Sequence, residues 1–250
     1  MRIALGLEYD GTAYNGWQRQ RSGDGVQTHV EMALSTVANE AIEVVCAGRT
    51  DTGVHAAGQV VHFDSSSERS NRGWLLGANS NLPDDISVSW ATNVSDDFHA
   101  RFSATQRTYH YLILNQMARS ALHRHRAWWV YDPLDAERMH NAAQVLQGRH
   151  DFSAYRAAGC RASTATREIT SISVSRSGDW IRLEVTANAF LQHMVRNITG
   201  TLVAIGRGDE ADDWAGAVLA SRDRKRGGAA APPHGLTLVK VDYPNAFNLR

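Results

Sequence analysis

The chain has 250 residues, and its 26 basic and 26 acidic side chains give a formal net charge of zero at neutral pH. This length allows one large domain or two small ones with a substantial core. No apolar stretch approaches the roughly 18 residues that a membrane helix requires, and acidic residues near the start argue against a signal peptide, so we expect a cytoplasmic protein. The two cysteines form no Cys-x-x-Cys motif, which favours a reducing compartment and no structural zinc.

Predicted strands and helices alternate along the first half of the chain. Alternating apolar residues predict strands over 3–9 and 86–94. Apolar residues at helical spacing predict helices over 26–37 and 71–78. Between these two helices the pattern predicts two further strands, joined by a polar loop.

That loop is the most informative stretch of the sequence. It lies between the predicted strands 42–47 and 59–63 and carries one carboxylate, Asp51, beside Arg49. Glycines on both sides let the backbone turn sharply and leave room for another molecule to approach. A carboxylate held in such a loop beside a guanidinium is a candidate for nucleophilic or acid–base chemistry.

Two other interpretations of Asp51 compete with a catalytic one. The side chain can simply close a turn with its own backbone, and the residues taken alone favour this structural interpretation. The tripeptide Asp51-Thr52-Gly53 also occurs in aspartic proteases, which need two carboxylates that share a proton. Only one such tripeptide is present, so a protease would have to build its pair of carboxylates by dimerising, and we set this class aside.

The charge distribution indicates a nucleic-acid partner despite the neutral total. Residues 98–131, 152–167 and 185–208 contain no acidic side chain. The arginines of these segments are Arg101, Arg107, Arg119, Arg124, Arg126, Arg156, Arg161, Arg167, Arg196 and Arg207. A neutral protein can therefore present a basic face to phosphates. The histidines at 123 and 125 lack a further ligand set at a recognised spacing, so we interpret them as part of a basic rim.

The polar loop over residues 14–20 fits the same interpretation. It combines two aromatic residues, Tyr14 and Trp17, with a basic end, which suits contact with nucleic acid. The structural alternative is that both aromatic side chains pack down against the protein.

A hinge over residues 95–107 predicts two domains, 1–102 and 103–250. In the second, the pattern predicts strands over 108–114, 169–174, 180–185 and 236–241, and helices over 135–146, 191–205 and 214–220. Arg196 is expected near the middle of the mainly buried helix 191–205. A buried guanidinium would need an anionic partner there, whereas a side chain that reaches solvent would not.

Six separated motifs, taken together, resemble the tRNA pseudouridine synthase A family over nearly the whole chain. They are Tyr9-Asp10-Gly11-Thr12 with Gly16-Trp17-Gln18-Arg19-Gln20, Ala47-Gly48-Arg49-Thr50-Asp51 with Gly53-Val54-His55, Arg107-Thr108-Tyr109, His150-Asp151-Phe152-Ser153, Phe190 with His193-Met194-Val195-Arg196-Asn197, and Gly235-Leu236 with Val241 and Tyr243-Pro244. Thr52 departs from the family pattern, which usually has alanine there. Residues 230–234 form a variant of the usual segment before Gly235.

The resemblance implies a role for each of four residues. Asp51 matches the catalytic aspartate, Tyr109 the tyrosine that stacks near the target uracil, and Arg196 the arginine that pairs with the aspartate. Arg49 matches a motif arginine with a positioning role. The family needs no metal or organic cofactor and acts as a homodimer on uridines at positions 38–40 of the tRNA anticodon arm. The implied fold is α/β, with two related halves, each a mainly antiparallel sheet backed by helices, and the active cleft between them.

The chemistry of pseudouridine formation is consistent with these roles. The reaction breaks a glycosidic N–C bond and rejoins the same base through carbon without net redox change. A base within a stem must leave its stack at a cost of a few kcal/mol, and stacking on Tyr109 could recover roughly 1–3 kcal/mol. Whether Asp51 attacks the sugar, attacks the ring or abstracts a sugar proton stays open. Two rival functions also stay open, a non-catalytic RNA-binding protein and a base hydrolase that uses Asp51 on a glycosidic bond.

Overall fold

The computed structural model of the chain describes residues 1–20, 24–160 and 162–249. The strands are β1 (Arg2–Tyr9), β2 (Val45–Cys46), β3 (His55–Asp64), β4 (Ile86–Val94), β5 (Gln106–Asn115), β6 (Trp128–Val130), β7 (Gly148–Asp151), β8 (Thr166–Ser177), β9 (Trp180–Ala187) and β10 (Leu236–Asp242). The helices are α1 (Val26–Ala38), α2 (Asn71–Asn79), α3 (Ala136–Ala143), α4 (Met194–Arg207) and α5 (Trp214–Ser221). The mainly antiparallel strands backed by helices confirm the predicted fold class.

The chain divides into two units. The first consists of Met1–Arg107 and Leu238–Arg250, and the second of Thr108–Thr237. This division differs from the expected one, 1–102 and 103–250, because the C-terminal segment returns to the first unit. The Tyr243 hydroxyl, for example, donates a hydrogen bond to the Ala100 carbonyl at 2.6 Å. Whether residues 1–102 and 103–250 fold as domains stays a prediction.

The sheet of the first unit has the strand order β4-β1-β3-β10 and is covered on both faces. β1 is antiparallel to β3 and β4, and Ile3 lies opposite Phe63. The Phe63 ring contacts Trp74 of α2 edge-on, with ring centroids 5.1 Å apart, so α2 covers that face. A second apolar cluster contains Ala4, Ala47, Val60, Phe98 and Ala100, with Trp90, Val94, Val241, Tyr243, Phe247 and Leu249 packed against it. Because Ala4 is adjacent to Ile3 in β1, this cluster lies on the other face.

The second unit has the strand order β5-β9-β8-β7, and α4 forms much of its core. β8 and β9 form an antiparallel hairpin whose turn contains Gly178 at a φ of +58°. α4 packs closely on α3, since a Cβ atom on Gly206 would lie 2.6 Å from Met139 Cγ. The buried Asn197 amide of α4 donates to the Tyr155 carbonyl at 2.8 Å, so its polar group is satisfied.

Several boundaries differ from the sequence-based expectation. β2 is shorter than the predicted strand 42–47, and the Val44 amide donates to the Glu31 carboxylate at 3.1 Å. α4 begins at Met194 instead of 191, because His193 has a left-handed φ of +61° that no helix continues. α3 ends at Ala143, and the chain continues as a short 3-10 turn. β6 and β7 were not predicted, since they are short and show no clear alternation.

Within the described residues, no helix combines the length and the apolar composition that crossing a bilayer requires.

His62, which contacts Phe98 and Ala100 of the second apolar cluster, should make folding stability sensitive to mildly acidic pH. His62 is buried, and its Nδ1 accepts a hydrogen bond from the Ala100 amide at 3.1 Å. Burial, and secondarily the charge on Arg2, lowers the pKa of His62 from 6.5 to about 4. Between these two pH values the unfolded chain binds the proton and the folded chain does not. The stability that neutral His62 provides is therefore present above about pH 6.5 and is lost as the pH falls toward about 4.

We predict that the wild-type protein loses on the order of 1–2 kcal/mol more than His62→Gln when the pH falls from about 7 to about 4.5. Glutamine can still accept the Ala100 hydrogen bond but does not titrate. The measurement is urea unfolding of both proteins at the two pH values. Leu122→Gln, at an exposed position without a titratable group, should retain the wild-type pH dependence. Equal losses in the wild-type protein and His62→Gln would contradict the prediction.

Candidate active site

Asp51 lies in the loop between β2 and β3, where the chain leaves one strand of the first unit and enters another. Its side chain is half-buried, whereas Thr50 before it is buried and Arg49 is exposed. Gly53 has a φ of +76°, so the loop uses a backbone conformation that favours glycine. The loop thus presents a half-buried carboxylate directly after a buried threonine.

Main-chain hydrogen bonds fix this loop to residues 14–17. The Trp17 amide donates to the Thr50 carbonyl at 3.0 Å, and the Gly53 amide donates to the Tyr14 carbonyl at 3.3 Å. The two bonds bracket Asp51 on both sides. Gly16 between them has a φ of +89°, and a Cβ atom there would lie 2.6 Å from the Thr50 oxygen. Only glycine therefore allows the two segments to approach this closely.

Buried polar side chains hold the start of the loop. The Tyr9 hydroxyl and the Thr50 hydroxyl are hydrogen-bonded at 2.8 Å. Gln59, which has no exposed surface, donates to the Gly48 carbonyl at 2.6 Å and accepts from the Gly48 amide at 3.3 Å. Buried polar groups paired in this way are costly to separate, so they restrict the loop to one conformation.

Sequence reasoning did not identify Gln59 as part of the site. The sequence feature that could have indicated it is a large amide side chain in the apolar strand β3, because a buried amide requires hydrogen-bond partners. Gly16 and Tyr9 occur in the quoted motifs, but no supporting role was assigned to them. All three residues act on the position of the loop.

The aromatic residues of the 14–20 loop follow the structural alternative. Tyr14 is 5% exposed and Trp17 is 1% exposed, so both rings pack down against the protein. The Trp17 ring instead lies 6.0 Å from the Tyr9 ring. The exposed Arg19 guanidinium pairs with Glu31 at 3.3 Å. This loop therefore contributes the support of Asp51.

Tyr109 lies in β5 of the second unit and is 8% exposed. Its ring contacts Phe190 edge-on, with centroids 5.0 Å apart and an interplanar angle of 83°. Such edge-to-face contacts are favourable by about 0.5–1.5 kcal/mol. The segment that precedes α4 therefore favours this orientation of Tyr109.

Arg196 lies in the first turn of α4, and the expectation that it lies mid-helix was wrong. Its side chain is half-buried, and its Nε donates to the Ala231 carbonyl at 2.8 Å. The Ala231 amide donates in turn to the Arg196 carbonyl at 3.0 Å. A cation at a helix N-terminus opposes the helix dipole, at a cost of about 0.3–1 kcal/mol. The hydrogen bond from Nε to the Ala231 carbonyl offsets this cost, so Arg196 also has a structural role at the start of α4.

The arginine-rich segments contain both surface and structural residues. Arg107 is buried and donates to the carbonyls of Ala47, Arg101 and Ala104, so it is a structural group. Arg207 pairs with Asp132 and Asp209. Arg156 and Arg167 are half-buried, and Arg161 lies outside the described residues. The exposed arginines of these segments are Arg101, Arg119, Arg124, Arg126 and Arg207. The basic face is therefore smaller than the sequence indicated. Nor do His123 and His125 join a group of three potential metal ligands within the described part of the chain.

The predicted site residues are distributed over the two units. Asp51 and Arg49 lie together on one loop of the first unit, and Tyr109 and Arg196 belong to the second. Within the second unit, Tyr109 and Arg196 lie on different elements, β5 and α4.

Comparison with known proteins points to one family. A family model described as tRNA pseudouridine synthase matches residues 7–103 and 142–244. A protein of Pseudoalteromonas atlantica is 56% identical over 249 residues, which cover 100% of this chain and 95% of the relative. A relative from Shewanella amazonensis is 54% identical with the same coverage. One from Coxiella burnetii is 53% identical over 99% of this chain and 95% of its own length. All three are named tRNA pseudouridine synthase A.

The close approach at Gly16 yields a prediction about loop order. In Gly16→Ala the new methyl group must displace the Thr50 carbonyl, so the bonds on both sides of Asp51 should weaken. We expect amide hydrogen exchange at Trp17 and Gly53 to accelerate by at least about tenfold.

Gly178→Ala is the matched control. Gly178 also has a left-handed φ, +58°, but a Cβ atom there meets nothing within 4 Å. Both variants carry the same kind of backbone penalty, and only Gly16→Ala should loosen the Asp51 loop. Unchanged exchange at Trp17 and Gly53 in Gly16→Ala would show that Gly16 does not govern the loop.

Proposed function

This chain belongs to the tRNA pseudouridine synthase family and is an isomerase, and we propose that it converts uridine to pseudouridine at positions 38–40 of the tRNA anticodon arm, with Asp51 as the catalytic carboxylate. The observation that carries the assignment of Asp51 is the loop itself. Main-chain hydrogen bonds at Thr50 and Gly53 bracket a half-buried carboxylate, and Gln59 holds Gly48 at the start of the loop. A carboxylate held this firmly can act on a bound nucleotide without first being ordered.

The roles that we propose for Tyr109 and Arg196 of the second unit are supported by the backbone and the contacts around them. Tyr109 stacks on the target uracil, and its contact with Phe190 supports this role by favouring one orientation of the ring. Arg196 binds the substrate and pairs with Asp51. The left-handed His193 just before that helix supports a functional reason for the position of Arg196.

Arg49 completes the proposed set of site residues. Because it is exposed on the same loop as Asp51, we propose that it positions substrate phosphate and takes no part in bond breaking. We further propose that the protein acts in the cytoplasm as a homodimer without a metal or organic cofactor. The cleft between the two halves, where the resemblance puts the reaction, stays a prediction.

The proposed role of Asp51 predicts separate effects on turnover and on binding. Asp51→Asn keeps the shape of the side chain and removes its charge. We expect pseudouridine formation to fall by at least roughly a thousandfold, while the dissociation constant for tRNA changes by less than about threefold. Tritium release from tRNA labelled at uridine C5 measures turnover, and filter binding measures affinity.

Asp179→Asn is the control for this experiment, since Asp179 is an exposed carboxylate in the β8–β9 turn. It should turn over tRNA like the wild-type protein. Retained turnover in Asp51→Asn would refute the catalytic assignment. Loss of tRNA affinity alone, with turnover preserved at saturating tRNA, would make Asp51 a binding residue.

A further inference from the structure

An exposed aromatic ring in the first unit has no role in the proposed reaction. Phe102 is 75% exposed, although a phenylalanine side chain gains most of its stabilising effect from burial. One ring face contacts the His99 ring in a stacked arrangement, with centroids 4.3 Å apart and an interplanar angle of 27°. The Arg101 guanidinium carbon lies 5.5 Å from the ring centre. Three quarters of the Phe102 surface stays accessible with both neighbours in place.

The turn that carries Phe102 is held by hydrogen bonds at nearly every residue. The amides of Arg101 and Phe102 both donate to His99 Nδ1, at 3.2 and 3.1 Å. The Ser103 amide donates to the His99 carbonyl at 2.8 Å, and the His99 amide donates to the Ser103 hydroxyl at 3.0 Å. Behind His99 the ring of His62 lies 4.8 Å away. Phe102 is thus presented on an ordered turn, which lowers the entropic cost of binding a partner there.

Arg107 connects this turn to the segment that leads into the Asp51 loop. Its guanidinium donates to the Arg101 carbonyl at 2.7 Å, to the Ala104 carbonyl at 3.1 Å and to the Ala47 carbonyl at 3.0 Å. Ala47 is the residue that follows β2. A group bound at Phe102 would therefore be held in a fixed relation to the start of the catalytic loop.

We propose that Phe102 and Arg101 form a platform that stacks an unpaired base of the tRNA substrate, a role that rests on the proposed function. Aromatic rings and arginine planes are the surfaces on which proteins hold unstacked bases. The Arg101 guanidinium beside the ring favours a polyanionic partner such as RNA over an apolar one. The platform acts in binding and takes no part in the chemical step.

Three substitutions of Phe102 separate stacking from other contributions. The probe is a tRNA transcript whose anticodon-arm uridines are replaced by cytidine, so that binding is measured without turnover. Phe102→Ala should weaken binding by about five- to a hundredfold, the range that loss of one base–aromatic stack produces. Phe102→Trp should bind within about threefold of the wild-type protein, and Phe102→Leu should resemble alanine. Leu76→Ala, at a half-exposed apolar position of the same unit, is the control and should bind normally.

Salt dependence and substrate kinetics provide readouts that a merely structural role would not change. Arg101→Gln should reduce the slope of log affinity against log salt concentration by about one, whereas Phe102→Ala should leave that slope unchanged. With substrate tRNA, Phe102→Ala should raise KM and leave kcat within about threefold.

Each other outcome overturns the proposal. Normal tRNA binding by Phe102→Ala, or by Phe102→Leu, would exclude stacking. A change in the molar mass of the free protein in Phe102→Ala, measured by light scattering, would assign the ring to a contact between copies of this chain. Pseudouridine formation by the wild-type protein is assayed in parallel. Its absence would refute the proposed function, whereas normal turnover with unaltered Phe102→Ala binding would refute the platform alone.

Discussion

The structure around the candidate catalytic residue depends on the main-chain hydrogen bonds between residues 14–17 and 50–53. These bonds join two loops that are distant in sequence, and they require glycine at position 16. The side chains of Tyr14 and Trp17 stay buried beneath them, so the supporting loop has its own apolar anchor. The half-buried Asp51 carboxylate is presented for chemistry on a loop whose flanking residues Thr50 and Gly53 are held by hydrogen bonds.

The second unit uses a similar principle at the start of α4. Arg196 and Ala231 are joined by one side-chain and one main-chain hydrogen bond, which hold the segment after α5 against the helix terminus. The left-handed His193 sets where the helix begins and so where Arg196 lies. In both units, a backbone conformation that is costly for most residues stands beside a proposed functional side chain.

The helices, the hairpin and most strands could be predicted because their apolar residues repeat at the period of the element. The beginning of α4 could not, since the apolar stripe extends back to Leu191 and gives no sign that His193 adopts a left-handed φ. The proposed site residues depend on motif resemblance, not on periodicity, and they stay predictions. Their supports were harder to predict, because burial of Gln59 and Arg107 depends on contacts distant in sequence. Arginine clustering overestimated the basic face for the same reason.

We propose that the protein uses Asp51 to isomerise uridine within tRNA without releasing the base. The most direct test is to incubate the wild-type protein with a defined tRNA transcript, digest the product to nucleosides and quantify uridine, pseudouridine and free uracil. We predict one pseudouridine for each uridine lost and no free uracil. Chemical mapping should find pseudouridine at positions 38–40 and nowhere else. Release of free uracil would identify a hydrolase, and unchanged nucleosides in bound tRNA would identify a non-catalytic RNA-binding protein.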